Sequence, residues 1–217
     1  MITYYRVDIR RLSWGELWRI TRGPGFLVAL FCKAFNLHLK MGTRIPRIDD
    51  LILIDTAGLD EDMRKAFEGP LSQWKALGFR EAFIYTVPVL SQGLRGAAAA
   101  LLSADGLTAA QVMFAEKRTA ELVRREVFSQ CLSFLSDGSV AGVGSGRPRM
   151  ESVPGFHWTY RTGAAPELLV RVLGEMLQDP TGPRPQPLDV AGLRTLLVRI
   201  SNRAVDFQVE RGVYVPE

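Results

Sequence analysis

Hydrophobic and polar positions change period at about residue 83. Before it, apolar residues recur at helical steps. Leu59 to Leu77 carries Met63, Ala66, Phe67, Leu71, Trp74 and Leu77 at such steps, with Gly69-Pro70 interrupting, and predicts a kinked helix or two short ones. A run from Phe26 to Leu39, preceded by Pro24 and followed by Gly42, predicts a helix over 24–40 that is apolar nearly all round. Leu51-Ile-Leu-Ile54 is a short apolar run compatible with a strand.

From Phe83 the pattern is that of strands: Phe83 to Leu90, then runs over 96–103, 107–115, 122–136 and 139–145. Asp105-Gly106 and Asp137-Gly138 sit between consecutive runs, and Asp-Gly suits the positive φ of a tight type I′ hairpin. Phe156-His-Trp-Thr-Tyr160 is a candidate added strand. Pro166 opens a helix with Leu168, Leu169, Val172, Leu173 and Met176 along one stripe, and a last helix runs from about Val190 to Arg211, before Gly212. The fold class is therefore α+β: an antiparallel meander with two Asp-Gly hairpins, packed by helices and preceded by an apolar, basic helical segment.

Composition divides the 217 residues further. Residues 1–47 hold nine basic side chains against Asp8 and Glu16, whereas the chain as a whole is only +4. The same segment holds seven of the 20 aromatic residues. It reads as an attachment segment (1–47), followed by the α+β domain (48–179), a proline-rich linker (180–188), and a C-terminal helix and tail (189–217). The apolar run is 14 residues long and interrupted by Lys33, too short to span a bilayer. No signal-peptide pattern precedes it, which favours the cytoplasm. Cys32 and Cys131 both lie in apolar surroundings and read as buried thiols.

Candidate chemistry is sparse. Leu51 to Gly58 is similar over eight residues to the strand and Asp-Thr-Ala-Gly element of GTPases. That element works with a Gly-x-x-x-x-Gly-Lys-Ser/Thr loop, and the chain has none. Gly142-Val-Gly-Ser-Gly146-Arg-Pro148 could present amides to an anion but reads better as a flexible turn. A Ser145, His157 and Asp137 grouping has no motif to bring it together, and with only His38 and His157 there is no metal-ligand spacing. No catalytic residue, cofactor or metal is assigned.

The N-terminal segment remains. Aromatic rings settle at the level of lipid headgroups, and Arg and Lys meet or snorkel toward anionic ones. The expected contacts with a membrane surface, or with membrane-embedded protein subunits, are Trp14, Trp18, Arg19, Arg22, Phe26, Leu27, Leu30, Phe31 and Phe35. The basic residues accompany large aliphatic side chains, which disfavours nucleic acid. The expectation is a non-catalytic peripheral protein at the inner, cytoplasmic face of a membrane, an accessory subunit of a larger embedded complex. The competing expectations are that helix 24–40 is buried core, or that the chain is a small soluble enzyme or ligand-binding module with a pocket between the sheet and the helix at Pro166.

Overall fold

The structure is a computed structural model and describes residues 2–21, 24–37, 43–86, 88–89, 91–119, 122–148 and 150–217, at residue 24 the backbone only. It is α+β, built on two sheets. The larger has seven strands in sequence order: β3 (Ile52–Ile54), β4 (Arg80–Thr86), β5 (Leu94–Leu102), β6 (Ala109–Arg118), β7 (Val123–Phe134), β8 (Val140–Gly144) and β9 (Phe156–Tyr160). All neighbours are antiparallel except β8 and β9. The strand over 156–160 thus joins the meander parallel to its neighbour.

Glycine in the two hairpin turns has positive φ, 71° at Gly106 and 84° at Gly138, but neither aspartate does. The turns are therefore not type I′. Gly138 N–H bonds to the Leu135 carbonyl and Leu135 N–H to the Ser139 carbonyl, as when a type I turn is followed by a left-handed glycine.

Both faces of the sheet are covered. On one lie α3 (Glu61–Ala76) and α4 (Pro166–Met176), whose Met63, Phe67, Trp74, Leu169, Val172 and Leu173 pack on Ala99, Leu101, Val112, Phe114, Cys131 and Val143. Of the two expectations at Gly69-Pro70, two short helices are excluded: α3 is one helix with Pro70 inside it, held to the sheet by its apolar stripe. Beneath α4, Leu169, Val172 and Leu173 pack on the sheet. The other face takes the first half of α5 (Val190–Glu210), through Leu193, Leu196 and Leu197. Residues 180–188 do not hang free. Ser136 N–H bonds to the Arg184 carbonyl, Gln186 N–H to that of Phe134, and Leu188 N–H to that of Gly106, so the stretch straps the ends of both hairpins.

The glycine run divides: Gly142 and Gly144 fall within the strand expected over 139–145, and a bend begins at Ser145. Gly142 and Gly144 belong to β8, where their register partners are Trp158 and Tyr160. A Cβ on Gly142 would lie 2.4 Å from the Trp158 ring, so glycine is what lets the indole lie flat across the strand.

The second half of α5 leaves the large sheet and supports a small one. There β1 (Thr3–Val7) pairs antiparallel with β2 (Arg44–Arg47) and with β10 (Tyr214–Pro216). Between β1 and β2 lie α1 (Trp14–Thr21) and α2 (Pro24–Ala34). Ile9, Leu12, Leu17, Ala29, Cys32, Val205, Val213 and Tyr214 form the core of this lobe. The segment 1–47 is thus completed by the C-terminal end of the chain.

Candidate functional site

The α1–α2 hairpin begins with Ser13-Trp-Gly-Glu16, a capping box. Glu16 Oε2 accepts from Ser13 N–H at 2.8 Å and Ser13 Oγ accepts from Glu16 N–H at 3.3 Å. The Glu16 side chain is wholly buried and does more than cap. Arg211, just past α5, donates to both of its oxygens at 2.8 Å, and Glu151 N–H donates at 3.0 Å. Burial pushes the Glu16 carboxyl up, but the Arg211 hydrogen bonds, the two backbone N–H groups and the arginine's charge outweigh it and hold it at about 2. Tyr214, buried beside it, is pushed up to about 12 by burial and by the Glu16 charge. The hairpin is therefore locked to the C-terminal end of the chain through one carboxylate.

Helix α2 ends sooner than expected. Asn36 takes φ 55°, Asn36 N–H bonds to the Lys33 carbonyl, and Leu37 N–H bonds to that of Cys32, a left-handed stop that closes the helix at Ala34. The expected extent to residue 40 lies partly outside the described residues, as does Arg22. Eleven residues give about 16 Å of helix. Among the described residues no helix is long and apolar enough to cross a membrane.

One side of α2 is buried through Ala29 and Cys32. The other side is as apolar as the first, yet it faces outward. Leu27, Val28, Phe31 and Phe35 are each more than half exposed, as are Trp14 and Trp18 on α1. Leu30 is partly buried, and Phe26, also partly buried, sets its ring edge-on to Trp18 at 4.8 Å between centroids. Phe31 and Phe35 lie against each other at 4.5 Å. The one charged residue of α2, Lys33, is turned inward: its Nζ donates to the Arg10 and Leu12 carbonyls at 2.5 and 2.8 Å and sits 4.9 Å from the Trp14 ring centroid. Six half-exposed large side chains present roughly 600 Å² of apolar surface, at the upper end of what a monomer carries.

The basic residues of the segment behave differently from the aromatics. Arg6 and Arg44 pair with Glu217, Arg10 with Asp8, and Arg47 with Asp206. Arg19 donates to the Gly15 carbonyl and lies near Tyr160. Two carboxylates from the far end of the chain, Asp206 and Glu217, thus meet three of the nine basic residues of 1–47, and Asp8 meets a fourth. Of the expected contact residues, Trp14, Trp18, Phe26, Leu27, Leu30, Phe31 and Phe35 are brought together on the hairpin, with Arg19 at its edge. Sequence reasoning missed Glu16, Lys33 and Arg211. The capping-box spacing could have flagged Glu16, whereas nothing local points to Arg211, 195 residues away.

The other candidates separate. Asp137 and His157 lie near one end of β8 and β9. Ser145 lies four residues along from Ala141, the register partner of His157, or about 13 Å away, and its Oγ accepts from Ser129 N–H. Asp55 precedes a 3-10 turn (Thr56–Gly58) after β3, an edge strand. Among the described residues no group of three His, Cys, Asp or Glu could hold a metal ion. Cys32 and Cys131 are free and buried, and burial pushes Cys131 up to about 12. No protein-family model matches the chain, and neither a curated protein nor a solved structure matches it.

Proposed function

We propose that this is a peripheral membrane protein without catalytic activity, attached through the α1–α2 hairpin and carrying the seven-stranded domain as an accessory to a larger membrane-embedded complex. The observation that carries the proposal is the outward side of α2: it holds only apolar residues, while its lysine is spent on backbone carbonyls inside the lobe. An ordinary solvated helix places polar residues there. An interfacial helix buries such a side among lipid tails, with tryptophans at headgroup level. Two buried free thiols suit the cytoplasmic side.

Magnitudes indicate which force does the holding. Burying half of the apolar surface favours attachment by about 7 kcal/mol gross, whereas each basic residue near an anionic leaflet adds only about 1 kcal/mol. Attachment should therefore depend on the rings far more than on lipid charge. The test is flotation of the full-length protein with vesicles. Wild type should float with neutral phosphatidylcholine, and F31D/F35D should stay at the bottom with an unchanged far-UV spectrum. Failure of the wild type to float with neutral and with anionic vesicles alike refutes the proposal.

A further inference from the structure

The β6–β7 hairpin reaches past its neighbours. β5 pairs with β6 as far as Lys117, and β8 pairs with β7 only over Gln130–Phe134, so the turn between Arg118 and Val123 projects from one end of the large sheet. Thr119 N–H bonds to the Leu122 carbonyl, and Thr119 Oγ1 accepts from Leu122 N–H, which closes the turn. Leu122 is 64% exposed and Val123 46%, and neither belongs to the core on either face of the sheet. The small lobe sits at the same end. The Gly93 carbonyl accepts from Arg118 N–H at 2.7 Å, and Ser91, in the same connection between β4 and β5, bonds through its hydroxyl to Thr43 just before β2. On the far side of the sheet, Tyr160 is the register partner of Gly144, the last residue of β8, and lies near Arg19 of α1.

The residues around the turn are basic. Lys117-Arg-Thr-Ala-Glu-Leu-Val-Arg-Arg125 holds four cationic side chains and one carboxylate. Arg118 and Arg125 are spent on the buried Glu116. Lys117 and Arg124 stand on the opposite face: alternation sets Lys117 in line with Met113, which packs on the face that α5 follows to the small lobe. They are register partners, and like charges set opposite each other destabilise a pair of strands unless something anionic lies over them. Among the described residues Lys117 has no ion-pair partner. The Arg124 side chain, 71% exposed, pairs with Glu126, a carboxylate that also serves another group. A free phosphate or a nucleic acid would use the two cations and leave Leu122 and Val123 in water, whereas a lipid surface takes both. We propose that this turn is a second contact with the membrane, in which Leu122 and Val123 enter the headgroup layer and Lys117 and Arg124 meet the phosphates of anionic lipids. The proposal rests on the membrane reading of the α1–α2 hairpin and adds to it a preference for lipid charge that the hairpin's rings do not supply.

An environment-sensitive fluorophore at Leu122→Cys in the full-length protein tests it beside the same label at Val28→Cys, the native thiols being buried. On vesicles of phosphatidylcholine and phosphatidylserine both labels should shift to the blue, the one at 122 being quenched by shallow rather than deep acyl-chain quenchers. K117Q/R124Q changes two exposed side chains and leaves the fold intact. It should bind those vesicles about tenfold less tightly than wild type and bind pure phosphatidylcholine equally well. Inorganic phosphate and a single-stranded DNA oligonucleotide should leave the label at 122 unchanged. A label at 28 that enters the lipid while the label at 122 stays in water overturns the inference and leaves the hairpin's attachment standing; two labels that both stay in water overturn both. A variant that binds anionic vesicles as tightly as wild type, or a label at 122 that answers to phosphate or DNA rather than to vesicles, also overturns it.

Discussion

Two buried carboxylates govern how this protein responds to acid. Glu16 and Glu116 are both held at about 2, Glu16 by Arg211 and backbone N–H groups against the pull of burial, Glu116 chiefly by Arg95 and then Arg125. A folded value below the ordinary 4.5 means that the stability each confers is complete above that value and is lost as pH falls toward 2. The thermal midpoint should therefore drop steeply between about pH 4.5 and pH 2, and E16Q, which has no such charge to lose, should show a shallower drop. At neutral pH, E16A leaves Arg211 without its buried partner and should cost about 2–4 kcal/mol in a denaturant titration. Gly142 is a second sensitive position. An alanine there meets the Trp158 ring, and G142A should cost about 1–3 kcal/mol and alter the tryptophan emission. The strand over 139–145 was legible, and β9 accounts for its glycines: Phe156, Trp158 and Tyr160 alternate with smaller residues, and flat rings on a neighbouring strand need glycines beneath them. What the sequence does not reveal is that the two strands are neighbours, since they run parallel and are separated by an irregular stretch.

At the scale of elements, legibility follows the range of the contacts. Strands β5 to β8 and helices α4 and α5 lie close to where the apolar period and the Asp-Gly turns place them, because adjacent segments pack on each other. The small sheet escaped notice. Its strands are three to five residues long, and the register runs from Tyr5 to Pro216, so no local pattern announces it. Helix α2 was legible in position but not in length, because its stop is Asn36 in a left-handed conformation rather than Gly42. The small sheet supports a separate prediction. Ending the chain before Tyr214 removes β10 and the Glu217 partner of Arg6 and Arg44. Amide exchange should then accelerate in β1 and the hairpin but not in β5 to β7; uniform acceleration would contradict the division into two lobes.

At the scale of the whole molecule, part of the N-terminal charge finds partners at the far end of the chain. Nine basic residues in the first 47 suggest a cationic arm, yet folding sets Asp206 and Glu217, from the far end of the chain, against three of them. Linear charge counts cannot anticipate pairs that close only when the termini meet. The aromatic half of the same signal survives folding, because α2 has more apolar surface than its small lobe can bury. The proposed membrane attachment therefore turns on the apolar surface of the α1–α2 hairpin. It is tested most directly by an environment-sensitive fluorophore at Val28→Cys, with Lys65→Cys on α3 as the reference, both sites being exposed. On neutral vesicles the label at 28 should shift to the blue, brighten and be quenched by acyl-chain quenchers in low and high salt alike, while the label at 65 stays in water. A label at 28 that remains as water-exposed as the one at 65 would contradict the account.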